Sequence, residues 1–357
     1  MSEFSKKRMA TTGDPLADAV ALRIDRRRPS NMLEEVYFLA KSAMGVFQEF
    51  VDQLNTVPSW VNWQQIERGR QVQASFHHVR SIATLIYSMP LEICRDESLL
   101  WLVRRGYLAQ QLLRRVHETN RIIHSINGQD GLKPGSEAHR ILAEVRLSNA
   151  MLRKSLLSRQ RGEPTANMPV NQLDMASQML QFSHLAIEGM EKLGVHLKRK
   201  DRQAVQHYWR YCAYIYGVDE QLLCQDIEMQ QRLYNQLFDT TIAPLNEHRR
   251  MVDASLNAIA NDMALNLPLE LIQELAHLTL GDTNAKALGI TNQPRWKRTA
   301  MLYVTANRGA TFAYYNIPGM GIINDSFNGL ISHNVLITPE ESKTRNQLKK
   351  DRVAKIA

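Results

Sequence analysis

Two short stretches of the chain carry polar side chains at helical spacing in apolar surroundings. In the segment 144–153 (EVRLSNAMLR), Arg146, Asn149 and Arg153 fall at i, i+3 and i+7 and so share one face of an α-helix. That face is cationic at both ends with a neutral amide between. If it were buried, each of these groups would need a partner. Periodicity alone favours the plainer account, an exposed face whose arginines are paired. In the segment 114–120 (RRVHETN), Arg115, Glu118 and Thr119 stand at i, i+3 and i+4, again on one face. Here the plain account is a local Arg115–Glu118 surface pair, worth about 0.2–0.5 kcal/mol. A third candidate is Glu274-Leu275-Ala276-His277, one copy of the E-x-x-H element that di-iron bundles use twice. No second copy occurs, and His277 lies near the end of an amphipathic helix where a structural role suffices. The sequence has no H-E-x-x-H, Cys/His zinc spacing, G-x-S-x-G or P-loop. Gly319-Met320-Gly321 is too short to suggest a nucleotide site.

The elements that must position these residues are helical nearly throughout. Apolar spacing of three and four predicts helices over 32–54, 60–86, 98–126, 136–157, 171–193, 200–216, 219–260 and 268–280. Breakers separate them: Pro58, Pro90, the NGQDGLKPGS loop, Pro169 and Gly281. Strand-like alternation is nearly absent, so the fold class is all-α, one large multi-helix domain. Residues 1–31 read as a flexible basic segment, 32–295 as the helical domain, and 296–357 as an irregular segment with a basic tail. Gly309, Gly319, Gly321 and Gly329 interrupt that last stretch.

Composition narrows the class further. With 44% hydrophobic residues in 357, there is enough apolar material for one large core, and no apolar run is long enough to span a bilayer. The N-terminal KKR has no apolar stretch behind it, so no secretory signal is read there. Three cysteines without pairing or metal spacing suit a reducing compartment, and the cytoplasm is the expected address. The net charge of +8 gathers near the ends, in Arg26-Arg27-Arg28 and between Lys343 and Lys355. No aromatic interleaving or recognition module accompanies it, so nucleic acid is not an expected partner. Weak contact with an anionic membrane surface is the better reading of these charges. The oligomeric state is not legible.

The order of the motifs resembles the catalytic domain shared by rubber oxygenases (latex clearing proteins) and MpaB-type, ER-bound oxygenases. The similarity runs over roughly 58–288. It is carried by Pro58-Ser59-Trp60 with Arg68-Gly69, by Arg115 and Thr119, and by Arg146-Leu147-Ser148-Asn149-Ala150-Met151-Leu152-Arg153. Downstream it continues in Pro169-Val170-Asn171-Gln172-Leu173-Asp174, in Phe182-Ser183, in Trp209-Arg210 through Gly217, and in Ala285 to Gly289. Each match is weak alone; together, in order, they point to the fold.

The resemblance implies a haem-dependent oxygenase acting on an apolar lipid, terpenoid or polyketide-like substrate. Its axial histidine would stand where this chain has Asn149, flanked by Arg146 and Arg153 near the cofactor. Arg115, Glu118 and Thr119 would line the opposite wall, with Glu118 where latex clearing proteins place a lysine. A carboxamide is a poor iron ligand beside imidazole, thiolate, thioether or phenolate. Haem b is therefore in question: either another residue ligates it, with His184 and His207 as candidates, or it has been lost. The rival reading is a haem-free descendant that binds an apolar ligand or a protein partner, its arginines turned to an anion or to Glu118 and Glu144. An empty pocket with direct Arg–Glu pairing would favour that rival. Asn171, Gln172 and Asp174 are expected to fix a loop, and Trp209, Arg210 and Gly217 to pack helices.

Overall fold

The computed structural model describes residues 3–24, 32–42, 45–95, 131–159, 167–238, 242–260 and 267–319. Among them there are helices and turns and no strand. The chain begins with α1 (Glu3–Ala10) and α2 (Pro15–Arg23), followed by α3 (Met32–Ser42) and α4 (Val46–Asn55). Next come α5 (Trp63–Ser75) and α6 (His77–Ala83), which runs through a π-helical turn, Thr84–Ser88, into α7 (Met89–Arg95). After the segment 96–130, which includes Arg115, Glu118 and Thr119 and lies outside the described residues, α8 spans Glu137–Arg159. A second π-helical turn, Gln181–Leu185, joins α9 (Gln172–Leu180) to α10 (Ala186–Lys192). The remaining helices are α11 (Arg199–Tyr216), α12 (Ile227–Leu237), α13 (Asn246–Ala260), α14 (Leu269–Leu280), α15 (Asp282–Ala287) and α16 (Lys297–Asn316).

The long helix α11 is the hub. It packs along α5, against α8 and beside the α9 unit. Gly69 of α5 permits the closest of these approaches, because a Cβ there would run into the Ala204 carbonyl of α11. The two π-helical turns touch each other, and α14 lies across the first of them. One continuous apolar core results, including Trp209, Tyr208 and Tyr211 of α11 and Leu85 and Ile86 of the first turn.

Three expectations change. The N-terminal segment is not a loose tail, since α2 buries Ala17, Val20 and Ala21 against α8. The sequence Gly13-Asp14-Pro15 looks like a breaker, but Asp14 is an N-cap whose carboxylate accepts the Ala17 N–H, and Pro15 opens the helix. The C-terminal segment is regular over the twenty residues of α16. Gly309 is tolerated inside it at about 1 kcal/mol relative to Ala, and a Cβ there would meet nothing. The stretch read as one helix over 219–260 is two, α12 and α13, with Pro244 between them. The basic residues beyond 319 lie outside the described residues.

Candidate functional site

Helix α8 has good helix formers at most positions and presents its polar stripe inward. Arg146 and Arg153 are 3% and 1% exposed, so the face is buried rather than solvated. Its partners come from α2. The Arg146 Nε lies 2.5 Å from Asp14 Oδ2, and its Nη2 donates to Asp14 Oδ1 at 3.1 Å and to Gln53 Oε1 at 2.8 Å. The guanidinium also sits over the Phe50 ring, 5.0 Å from its centroid. Two helical turns along, Arg153 Nε donates to Asp18 Oδ1 at 2.7 Å and Nη1 donates to the Val170 carbonyl at 2.8 Å. Burial pushes the Asp18 carboxyl above the usual carboxylate range, against the pull of Arg153. Asp14 and Asp18 are four residues apart and so face one side of α2, which lets a single short helix neutralise both arginines.

Between the two ion pairs, the Asn149 amide donates to the Tyr216 hydroxyl at 2.6 Å, and that hydroxyl donates in turn to Gln178 Oε1. The three side chains bridge α8, α11 and α9. Gly217 follows directly with φ +89°, and its missing Cβ leaves the space occupied by Asp14 and Arg146. The Asn171-Gln172-Leu173-Asp174 motif closes this end of the site. Asn171 and Asp174 form a reciprocal capping box at the start of α9. Gln172 donates to the carbonyls of Gly13 and Gly217 and accepts the Asp219 N–H, so one side chain ties three segments. Val170 adopts φ +52°, a costly conformation for a β-branched residue, and its carbonyl is the one that Arg153 takes.

The other candidates are elsewhere. His184 lies in the second π-helical turn, 1% exposed, with its ring 4.8 Å from that of Tyr234 and neither nitrogen hydrogen-bonded. Burial pushes its pKa down to about 4. It stands six residues along from Gln178, about 9 Å at helical rise. His207 stands nine residues before Tyr216, about 13 Å along α11, and its Nε2 accepts the Asn62 N–H at 3.0 Å. Among the described residues no hydrogen bond or ring contact joins either histidine to Asn149. Glu274 accepts the Gln293 N–H and His277 Nε2 bonds the Ile290 carbonyl, which anchors the loop after α15. No group of three or more metal-ligating side chains occurs among the described residues. Arg115, Glu118 and Thr119 lie outside those residues.

Comparison with known proteins bears on this arrangement. The family model for the catalytic domain of ER-bound oxygenase mpaB/B′ and rubber oxygenase matches residues 98–309. The chain belongs to that family. The rubber oxygenase of Streptomyces sp. (strain K30) is 22% identical over 264 residues, which make up 71% of this chain and 63% of that protein. The chain thus spans less than two thirds of that relative's length. A solved structure of latex clearing protein in its closed state superposes with a TM-score of 0.67 at 20% identity, covering 90% of both chains, and so shares the fold.

Haem in a family of this kind tests the site directly. Residue 149, where the sequence resemblance would set an axial histidine, is a carboxamide hydrogen-bonded to Tyr216. Both flanking arginines already hold a carboxylate each. Among the described residues, this arrangement does not fit a haem ligated at residue 149.

The sequence reading missed Asp14, Asp18, Tyr216 and Gln178. For the two aspartates a signal was present, in the Asp-Pro cap and the four-residue spacing. For Tyr216 and Gln178 there was none, because their role depends on how three helices meet.

Proposed function

We propose that this chain is an oxygenase-family protein that no longer holds haem at the family position and instead binds an apolar ligand on the same helical scaffold. The pairing of Arg146 with Asp14 and of Arg153 with Asp18 carries this reading. Guanidiniums awaiting the carboxylates of a cofactor would need to be free, and these two are each within hydrogen-bond distance of an internal acid. Asn149 supports it, because a neutral amide replaces the donor that an iron would need. The family's chemistry favours a second reading, a haem-dependent oxygenase acting on a lipid, terpenoid or polyketide-like substrate. The family match across the catalytic domain supports that one, with Arg115, Glu118 and Thr119 as the residues to line its other wall.

The visible absorption spectrum separates them. Full-length protein is expressed with excess haem precursor, beside Asn149→His. The expected result is no Soret band in the wild type. A band in the variant would then show a pocket that kept its shape after losing its ligand. A strong, stoichiometric band in the wild type would overturn the proposal and send the search for the axial ligand to the segment 98–130 and to His184 and His207.

A further inference from the structure

The outward face of α16 carries large apolar side chains that the fold leaves uncovered. The helix is held from another side. Ala300, Val304 and Thr311 are buried, Asn307 donates to the Leu193 carbonyl at 2.9 Å, and the Tyr315 hydroxyl donates to Asp201 Oδ2 at 2.7 Å. Gly194 lets the backbones come close here, because a Cβ there would run into the Val304 carbonyl. With those contacts made, Leu302 and Phe312 remain 68% and 67% exposed, and Met301 and Ile317 45% and 50%. A single exposed leucine is ordinary, whereas four large apolar side chains on one helix and its C-cap form a patch.

Cations share this face. At about 100° per residue, Lys297, Arg308, Met301, Phe312, Arg298 and Leu302 fall within an arc of about 140°, and all six are exposed. The three buried positions of the helix lie outside that arc. Between the apolar residues, the Thr305 hydroxyl donates back to the Met301 carbonyl at 2.8 Å and Gly309 adds no side chain, so neither interrupts the strip. No carboxylate balances the charge locally: 283–319 contains Lys286, Arg295, Lys297, Arg298 and Arg308 and neither aspartate nor glutamate.

This combination selects a partner. Apolar side chains interleaved with arginine and lysine suit a helix lying in the plane of a bilayer surface, its apolar groups at the acyl boundary and its cations at the lipid phosphates. A second copy of the chain fits less well, since a self-complementary contact through this face would set like charges against each other.

We propose that α16 docks the protein on an anionic lipid bilayer, with Met301, Leu302 and Phe312 entering the acyl boundary and Lys297, Arg298 and Arg308 at the phosphates. The contact is thereby placed on the helical domain and not on the terminal basic clusters, Arg26-Arg27-Arg28 and 343–355. The inference goes beyond the proposed function and does not depend on whether haem is bound.

The test floats full-length protein with vesicles of phosphatidylcholine alone and of phosphatidylcholine mixed with phosphatidylserine. The expected result is recovery with the mixed vesicles, falling as salt is raised. The double variant Leu302→Ser, Phe312→Ser is expected to weaken that binding about tenfold or more. Arg298→Gln with Arg308→Gln is expected to weaken it by about the same factor. All four side chains are exposed, and far-ultraviolet circular dichroism confirms that each variant is folded. Glutamine in place of the basic residues of 26–28 and 343–355 is the control, expected to keep most of the binding. Absence of binding to the mixed vesicles would overturn the proposal, as would undiminished binding in either folded α16 variant. A dimer in solution that the Leu302→Ser, Phe312→Ser variant dissociates would overturn it too, by assigning the face to a second copy.

Discussion

Two regions of this molecule use arginine in opposite ways. On α8, Arg146 and Arg153 are almost wholly buried and each meets an aspartate of α2. On α11, Arg210 is half-buried, stacks on Trp60 and meets no acid among the described residues. A charge removed from water is tolerated when a partner and hydrogen bonds replace the solvent. The α8 arginines meet that condition with internal carboxylates, fully at Arg146 and with one Nη of Arg153 left without a partner among the described residues, so they serve chiefly to hold the fold together. Arg210 relies instead on the indole face, and its buried Nε has no hydrogen-bond partner among the described residues. The lesson is that a conspicuous polar stripe in a sequence can be structural, while a single unremarkable arginine can be held by an aromatic ring and no acid among the described residues.

The contrast can be broken at its strongest point first. Asp14→Ala would leave Arg146 buried with only Gln53 and the Phe50 ring, and would also remove the cap of α2. Breaking a buried pair in this way costs about 3–5 kcal/mol, expected as a large fall in the midpoint of urea unfolding. A drop below about 1 kcal/mol would mean that Arg146 finds another anion, and the α8 face would then be a binding site after all. Asp18→Ala is expected to have a smaller effect, about 1.5–3 kcal/mol, because the Asp18 carboxylate is partly solvated and Arg153 keeps the Val170 carbonyl. Equal losses in the two variants would erase the distinction between the inner and outer pair. The smallest effect is expected for Arg210→Met. Losing one partly exposed cation–π contact is worth about 0.5–1 kcal/mol, read in the same unfolding experiment. A loss as large as that of Asp14→Ala would show that Arg210 is structural too and would remove the comparison altogether.

Much of the architecture was legible before any coordinates. Helical spacing located α8, α9, α11 and α14 with small errors at their ends, and the motif order pointed to the family that the wider comparison then established. Legibility failed where local chemistry has two meanings. The Asp14-Pro15 pair can end a chain segment or open a helix, and only the presence of α8 beside it selects the second. The periodic reading of 219–260 ran through Pro244 because the apolar spacing on each side happened to agree in phase. Gly309 was read as a breaker, although a solvent-facing glycine in a long helix weakens it only slightly.

The candidate site divides along the same line. The sequence by itself determined that Arg146, Asn149 and Arg153 share a face, because the 3.6-residue repeat of a helix is a local property of consecutive peptide units. It also placed a neutral amide, Asn149, between the two arginines of that face, since residue type at a motif needs no fold to be read. Tertiary structure alone decided that this face turns inward, that Asp14 and Asp18 meet its two cations, and that Tyr216 and Gln178 take the amide. It also decided that Arg210 stacks on Trp60 and meets no acid among the described residues. Burial and partnership arise between residues more than a hundred positions apart, such as Asp14 and Arg146. They are set by how α2, α9 and α11 pack, and no spacing within any one of those helices contains that information.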